Sequence, residues 1–83
     1  MNKVQRLLLA MDSEDKQTLL DLCFEIKVVI SVGDKLFAEG DKKAAKLTDD
    51  KAGELIAKQK QLLVDNGFIN DEINTAIEIL NQG

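Results

Sequence analysis

Residues 14–39 carry the pattern that most narrows what this chain can fold into. Leu19, Leu22, Cys23, Ile26, Val29, Ile30, Leu36 and Phe37 recur at steps of three and four, which line one face of an α-helix. Leu20, Phe24, Val28 and Val32 follow one another at steps of four and make a second apolar stripe. Asp21, Glu25, Lys27, Ser31, Asp34 and Lys35 fill the space that remains. A helix that is apolar on two faces is normally buried on two faces. This helix is therefore either the hub of a compact bundle or the seam of an oligomer. The β-branched run from Val28 to Val32 reads locally as a strand. The stripes continue through it in phase, so helix is preferred. Gly33 costs about 1 kcal/mol relative to alanine inside such a helix. It marks either a close helix crossing or a break.

The chain has 83 residues and suits one helical domain, 1–83, because two independent cores need about 100 residues or more. Val4, Leu7, Leu8 and Met11 predict a first helix over residues 2–11, with Leu9 off its stripe. Asp12 and Ser13 offer caps to the long helix, and Glu14 and Asp15 suit its first turn. Gly40 ends it. Residues 41–47 read as a short helix or a linker. Thr48 followed by Asp49 and Asp50 reads as a fresh helix start. Ala52, Leu55, Ile56, Gln59, Leu62 and Leu63 carry that helix to residue 65. Asn66-Gly67-Phe68 reads as a Schellman stop. Asn70 then caps a last helix bearing Ile73, Ala76, Ile77 and Leu80. The expected fold is all-α: a compact bundle of four helices, five if 41–47 forms one, around the long central helix.

Several chemistries lack their residues. Histidine is absent and Cys23 is the single cysteine, so there is no internal disulfide and no Cys/His zinc site. Cys23 lies on an apolar stripe and reads as a small hydrophobe. No glycine-rich phosphate loop is present, and the pairs Asp49/Asp50 and Asp71/Glu72 stand at helix starts, where the dipole accounts for them. No catalytic, cofactor-binding or metal-binding residue is assigned, and a non-enzymatic protein is expected. No uncharged run approaches the roughly 20 residues that cross a bilayer. The apolar run Leu7 to Met11 is shorter than a signal peptide needs. A cytoplasmic protein without membrane insertion is expected.

The net charge of -4 and the single arginine, Arg6, argue against nucleic acid as the partner. An alternative basic face is Lys42, Lys43, Lys46, Lys51 and Lys58, which would serve a nucleic-acid-binding regulator dimerised through the central helix. Asp41, Asp49, Asp50 and Glu54 interleave with these lysines, and Glu54 and Lys58 form an i,i+4 pair, so a solvated helix face is the preferred reading.

Gly67-Phe68 between two helices, followed by Ala76 and Leu80 four residues apart, resembles the loop of ubiquitin-associated domains over residues 62–80. Asn66 stands where those domains usually carry methionine, and no third helix follows. None of their binding residues is carried over.

Leu20, Phe24, Val28 and Val32 remain the candidate partner-binding residues. Bare apolar surface on so small a domain is an aggregation hazard unless something covers it. The cover is either the first or last helix, or another chain. The expected function is that of a small regulatory protein that binds another protein, itself as a homodimer, or both. Inhibitors of a host enzyme and antiholin-like lysis regulators, encoded by bacteria or phages, are examples of that class. A structural subunit of a larger assembly is a further alternative.

Overall fold

The computed structural model describes residues 2–82, in four α-helices. They are α1 (Lys3–Ala10), α2 (Ser13–Ala38), α3 (Lys42–Asp65) and α4 (Asn70–Gln82).

α2 and α3 form a long antiparallel hairpin. Three contacts fix its register: Asp15 with Asn66, Cys23 with Gln59, and Gly33 with Thr48. Opposed residues therefore have numbers that sum to 81 or 82. Small residues let the helices approach. Ala45 and Ala52 are buried in the seam, and Gly33 has no room for a side chain. Gly33 thus marks the close crossing, and α2 runs through it unbroken.

Both ends of the hairpin are closed by the backbone chemistry that the sequence carries. After α2, Gly40 adopts φ +88°, its N–H donates to Phe37 O, and Asp41 N–H donates to Leu36 O. After α3, Gly67 adopts φ +90°, its N–H donates to Val64 O, and Phe68 N–H donates to Leu63 O. Each is a Schellman motif, which needs a left-handed residue that glycine supplies without strain. Phe68 then turns inward and is buried, so the stop signal is also a core anchor.

α1 and α4 form a second layer over one end of the hairpin only. Val4, Met11, Leu19, Leu63, Phe68, Ile73 and Ala76 make the buried core there. Leu7, Leu8, Ile77 and Leu80 pack around it half-buried. Asn2 and Gln5 close a reciprocal capping box that starts α1. Lys16 Nζ donates to Leu9 O at 2.8 Å and ties the end of α1 to α2. The other end of the hairpin has no second layer, so the molecule is elongated, 45 × 23 × 21 Å.

Three expectations are corrected. No fifth helix forms: residues 42–47 are the first turns of α3. Asp41 starts that helix, accepting from Ala44 N–H at 3.1 Å, while Thr48 lies inside it and donates its hydroxyl to Ala45 O at 2.6 Å. A threonine that bonds back to its own helix is satisfied without ending it. The bundle is compact only where α1 and α4 reach, so α2 is the longer arm of a hairpin and not a hub covered on both sides. Asn70 is the first residue of α4, and the capping carboxylate comes from Glu72, which accepts from Ile69 N–H at 3.0 Å.

Candidate functional site

The second stripe of α2 lies open. Leu20 is 48% exposed, Phe24 69%, Val28 44% and Val32 46%. A helix that places such residues at i, i+4 steps puts them along one inclined ridge. No residue of α1 or α4 lines the hollow beside Phe24 and Val28. Only the Leu20 end approaches α1 and α4, through Leu8, Leu9 and Leu80.

The hairpin has two broad faces, and they differ. On one, Cys23, Ile30 and Ile56 border a cleft that Ile77 and Asn81 of α4 help to close. On the other, no residue of α1 or α4 is present. There a shallow groove runs between α2 and α3, floored by Leu22, Leu55 and Leu62. It continues into a hollow where Phe24, Val28 and Val29 of α2 meet Lys51 and Leu55 of α3. The open stripe thus runs into the open groove as one apolar surface.

Along the middle of this groove the two helices carry opposite charges. Glu25 stands on the α2 rim, and Asp21, one turn earlier, shares its side. Lys51 and Lys58 stand on the α3 rim, with Asp65 at the far end of the groove beside Thr18. Lys51 also approaches Glu54 of its own helix at 4.0 Å, an exposed pair of small energetic weight.

The five lysines of the alternative basic face are all exposed, but they do not share one side of α3. Lys51 and Lys58 face the groove. Lys42 is nine residues from Lys51, about 180° around the helix at 3.6 residues per turn. Lys43 and Lys46 fall between, with Asp50 and Glu54 interleaved among them.

Leu47 was not singled out by the sequence, because residues 41–47 read as a detached segment. It is 66% exposed and lies one turn before Lys51, so it extends the apolar surface toward the tip of the hairpin.

Cys23 is buried, and its Sγ accepts from Gln59 Nε2 at 2.7 Å. Burial pushes its thiol up from the usual value, against the smaller opposing effects of Lys27 and the Gln59 bond. A thiol so placed is a weak nucleophile. Among the described residues, no three His, Cys, Asp or Glu side chains cluster where they could hold a metal ion, and no helix is long and apolar enough to cross a membrane.

No family model matches the chain, and no similar curated protein or solved structure was found.

Proposed function

We propose that this is a non-enzymatic regulatory protein that works by seating another protein chain on the open side of its helical hairpin. The observation that carries the reading is the stripe Leu20, Phe24, Val28 and Val32, exposed along α2 with no residue of α1 or α4 lining the hollow beside Phe24 and Val28. Aromatic and branched aliphatic side chains in a shallow groove with a charged rim have the composition of a protein-binding patch. Masking the surface of a host enzyme or of a lysis protein would be a use of such a patch, and it needs no cofactor.

The test is capture of partners by the tagged full chain from its native host, read by mass spectrometry. Phe24 has most of its side chain in solvent, so Phe24→Asp should leave helicity by circular dichroism unchanged. It should also remove the captured protein. Equal recovery with the Phe24→Asp variant would rule out this surface.

A further inference from the structure

We propose that a second copy of this chain occupies the open groove, turned by half a turn about the long axis of the hairpin, so that α2 of each copy lies on α3 of the other. The inference rests on the reading that this face binds protein, and it names the partner.

The charge pattern supplies the first argument. Along the middle of the groove the α2 rim carries Glu25, with Asp21 one turn before it, and the α3 rim carries Lys51 and Lys58, with Asp65 of α3 at one end. A half turn about the long axis exchanges the two rims and keeps every residue at its own height. The acidic rim of each copy then meets the basic rim of the other. In the hairpin register, Glu25 is level with residue 56 of α3. It therefore arrives between Lys51 and Lys58 of the second copy. At the far end Asp65 comes level with the Thr18 hydroxyl. A half turn about the perpendicular in-plane axis would instead set α2 on α2, acid against acid.

The apolar pattern agrees. In the same register Leu47 is level with residue 34 and Val32 with residue 49. Val32 of one copy and Leu47 of the other are then offset by two residues, about 3 Å along the axis. Both side chains are exposed, Val32 at 46% and Leu47 at 66%. Phe24 and Val28 come down over the aliphatic stems of Lys58 and Lys51, which snorkel their charges outward.

Size and net charge permit the contact. Two helices side by side, each about 35 Å long and about 10 Å across, present a strip close to the roughly 800 Å² per partner of a stable interface. Residues 27–54 hold six lysines against six acidic residues, so the middle of the contact is neutral. The acidic excess lies outside that stretch, where nine acidic residues face five basic ones. Asp71, Glu72 and Glu78 of that excess are on α4, which does not line the groove.

The experiment is sedimentation equilibrium of the full chain with two exposed-site variants, Glu25→Lys and Lys58→Glu. The wild-type chain should sediment at twice 9.2 kDa at roughly 10 µM, within the affinities that interfaces of this size reach. Each single variant should dimerise about tenfold more weakly. The double variant Glu25→Lys/Lys58→Glu should dimerise more tightly than either single variant, short of wild type because Lys51 is unchanged, and so should an equal mixture of the two singles. Circular dichroism checks that all four chains stay helical. A wild-type monomer at roughly 100 µM, well above the affinities expected of such an interface, would overturn the inference. So would single variants that dimerise like wild type, or a double variant that stays weak. In any of those cases loss of partner capture by Phe24→Asp still decides the protein-binding reading separately, because it is read on a different molecule.

Discussion

Gly33 and Thr48 meet where α2 and α3 cross most closely: a Cβ on Gly33 would stand 3.3 Å from Cβ of Thr48 and closer still to its Oγ1. Glycine inside a 26-residue helix is normally a defect, and replacing it by alanine normally gains about 1 kcal/mol. Here the sign reverses. Thr48 cannot swing aside freely, because it is β-branched and its hydroxyl is bonded to Ala45 O. Gly33→Ala should lose about 1–3 kcal/mol by overpacking, more than the helix gains. Thr48→Ala in that background should recover most of the loss, since the offending oxygen is gone. Urea unfolding followed by circular dichroism measures both, and a Gly33→Ala variant more stable than wild type would contradict the crossing.

Cys23 and Gln59 make the second contact that fixes the register. Gln59 is 2% exposed, and its amide donates to the Cys23 sulfur. Cys23→Ala removes the acceptor and leaves a buried N–H without a partner, a cost of about 1–3 kcal/mol. Cys23→Ala/Gln59→Leu should regain much of it, because an apolar pair has no bond to lose. The native thiol should also react with a disulfide reagent far more slowly than it does in urea, because burial raises its pKa. Equal rates in the two conditions would place Cys23 at the surface.

The helices were legible because their signals are local. The stripe at Val4, Leu7, Leu8 and Met11 and the Asn66-Gly67-Phe68 stop need only neighbours in sequence, and the structure uses both as read. The origin of α3 was misread because two caps compete in the sequence. Thr48-Asp49-Asp50 has the stronger composition, but Asp41 follows the glycine that ends α2, and the chain can begin a new helix there at once. Local chemistry permits both, and the packing of Ala45 and Thr48 against Gly33 decides. Whether α1 or α4 covers the second stripe of α2 is not legible in the sequence. That depends on where α1 and α4 come to rest, a long-range matter that no spacing within α2 records. Leu47 of α3, which extends the open surface, falls in the segment that reads in sequence as a short helix or a linker.

The origin of α3 gives a prediction of its own. Asp41→Ala should cost about 1 kcal/mol, the usual loss of a helix N-cap. Thr48→Ala alone should cost less, because its hydroxyl only returns to its own helix. Amide exchange should find residues 47–50 protected like the middle of a helix. Rapid exchange at Asp49 and Asp50 with no effect of Asp41→Ala would restore a helix start at Thr48.

Glu72 ties α1 to the start of α4 at the folded end. Its carboxylate accepts from Ile69 N–H at the start of α4 and pairs with Lys3 Nζ of α1 at 3.0 Å. The Ile69 bond, and after it Lys3, holds the carboxyl below the ordinary carboxylate range. Between that lowered value and the ordinary one, the unfolded chain binds a proton that the folded chain does not, so stability rises with pH across the window. The contribution is full above the ordinary value and is lost as pH falls through the folded one. Glu72→Gln keeps an acceptor for Ile69 N–H but cannot titrate, so its stability should fall less steeply on acidification than that of wild type. Lys3→Met should keep most of the wild-type slope, because the backbone bond is the larger cause. Thermal melts of the three chains from neutral to acid pH read the comparison directly. Parallel slopes for wild type and Glu72→Gln would mean that the capping bond is not formed in solution.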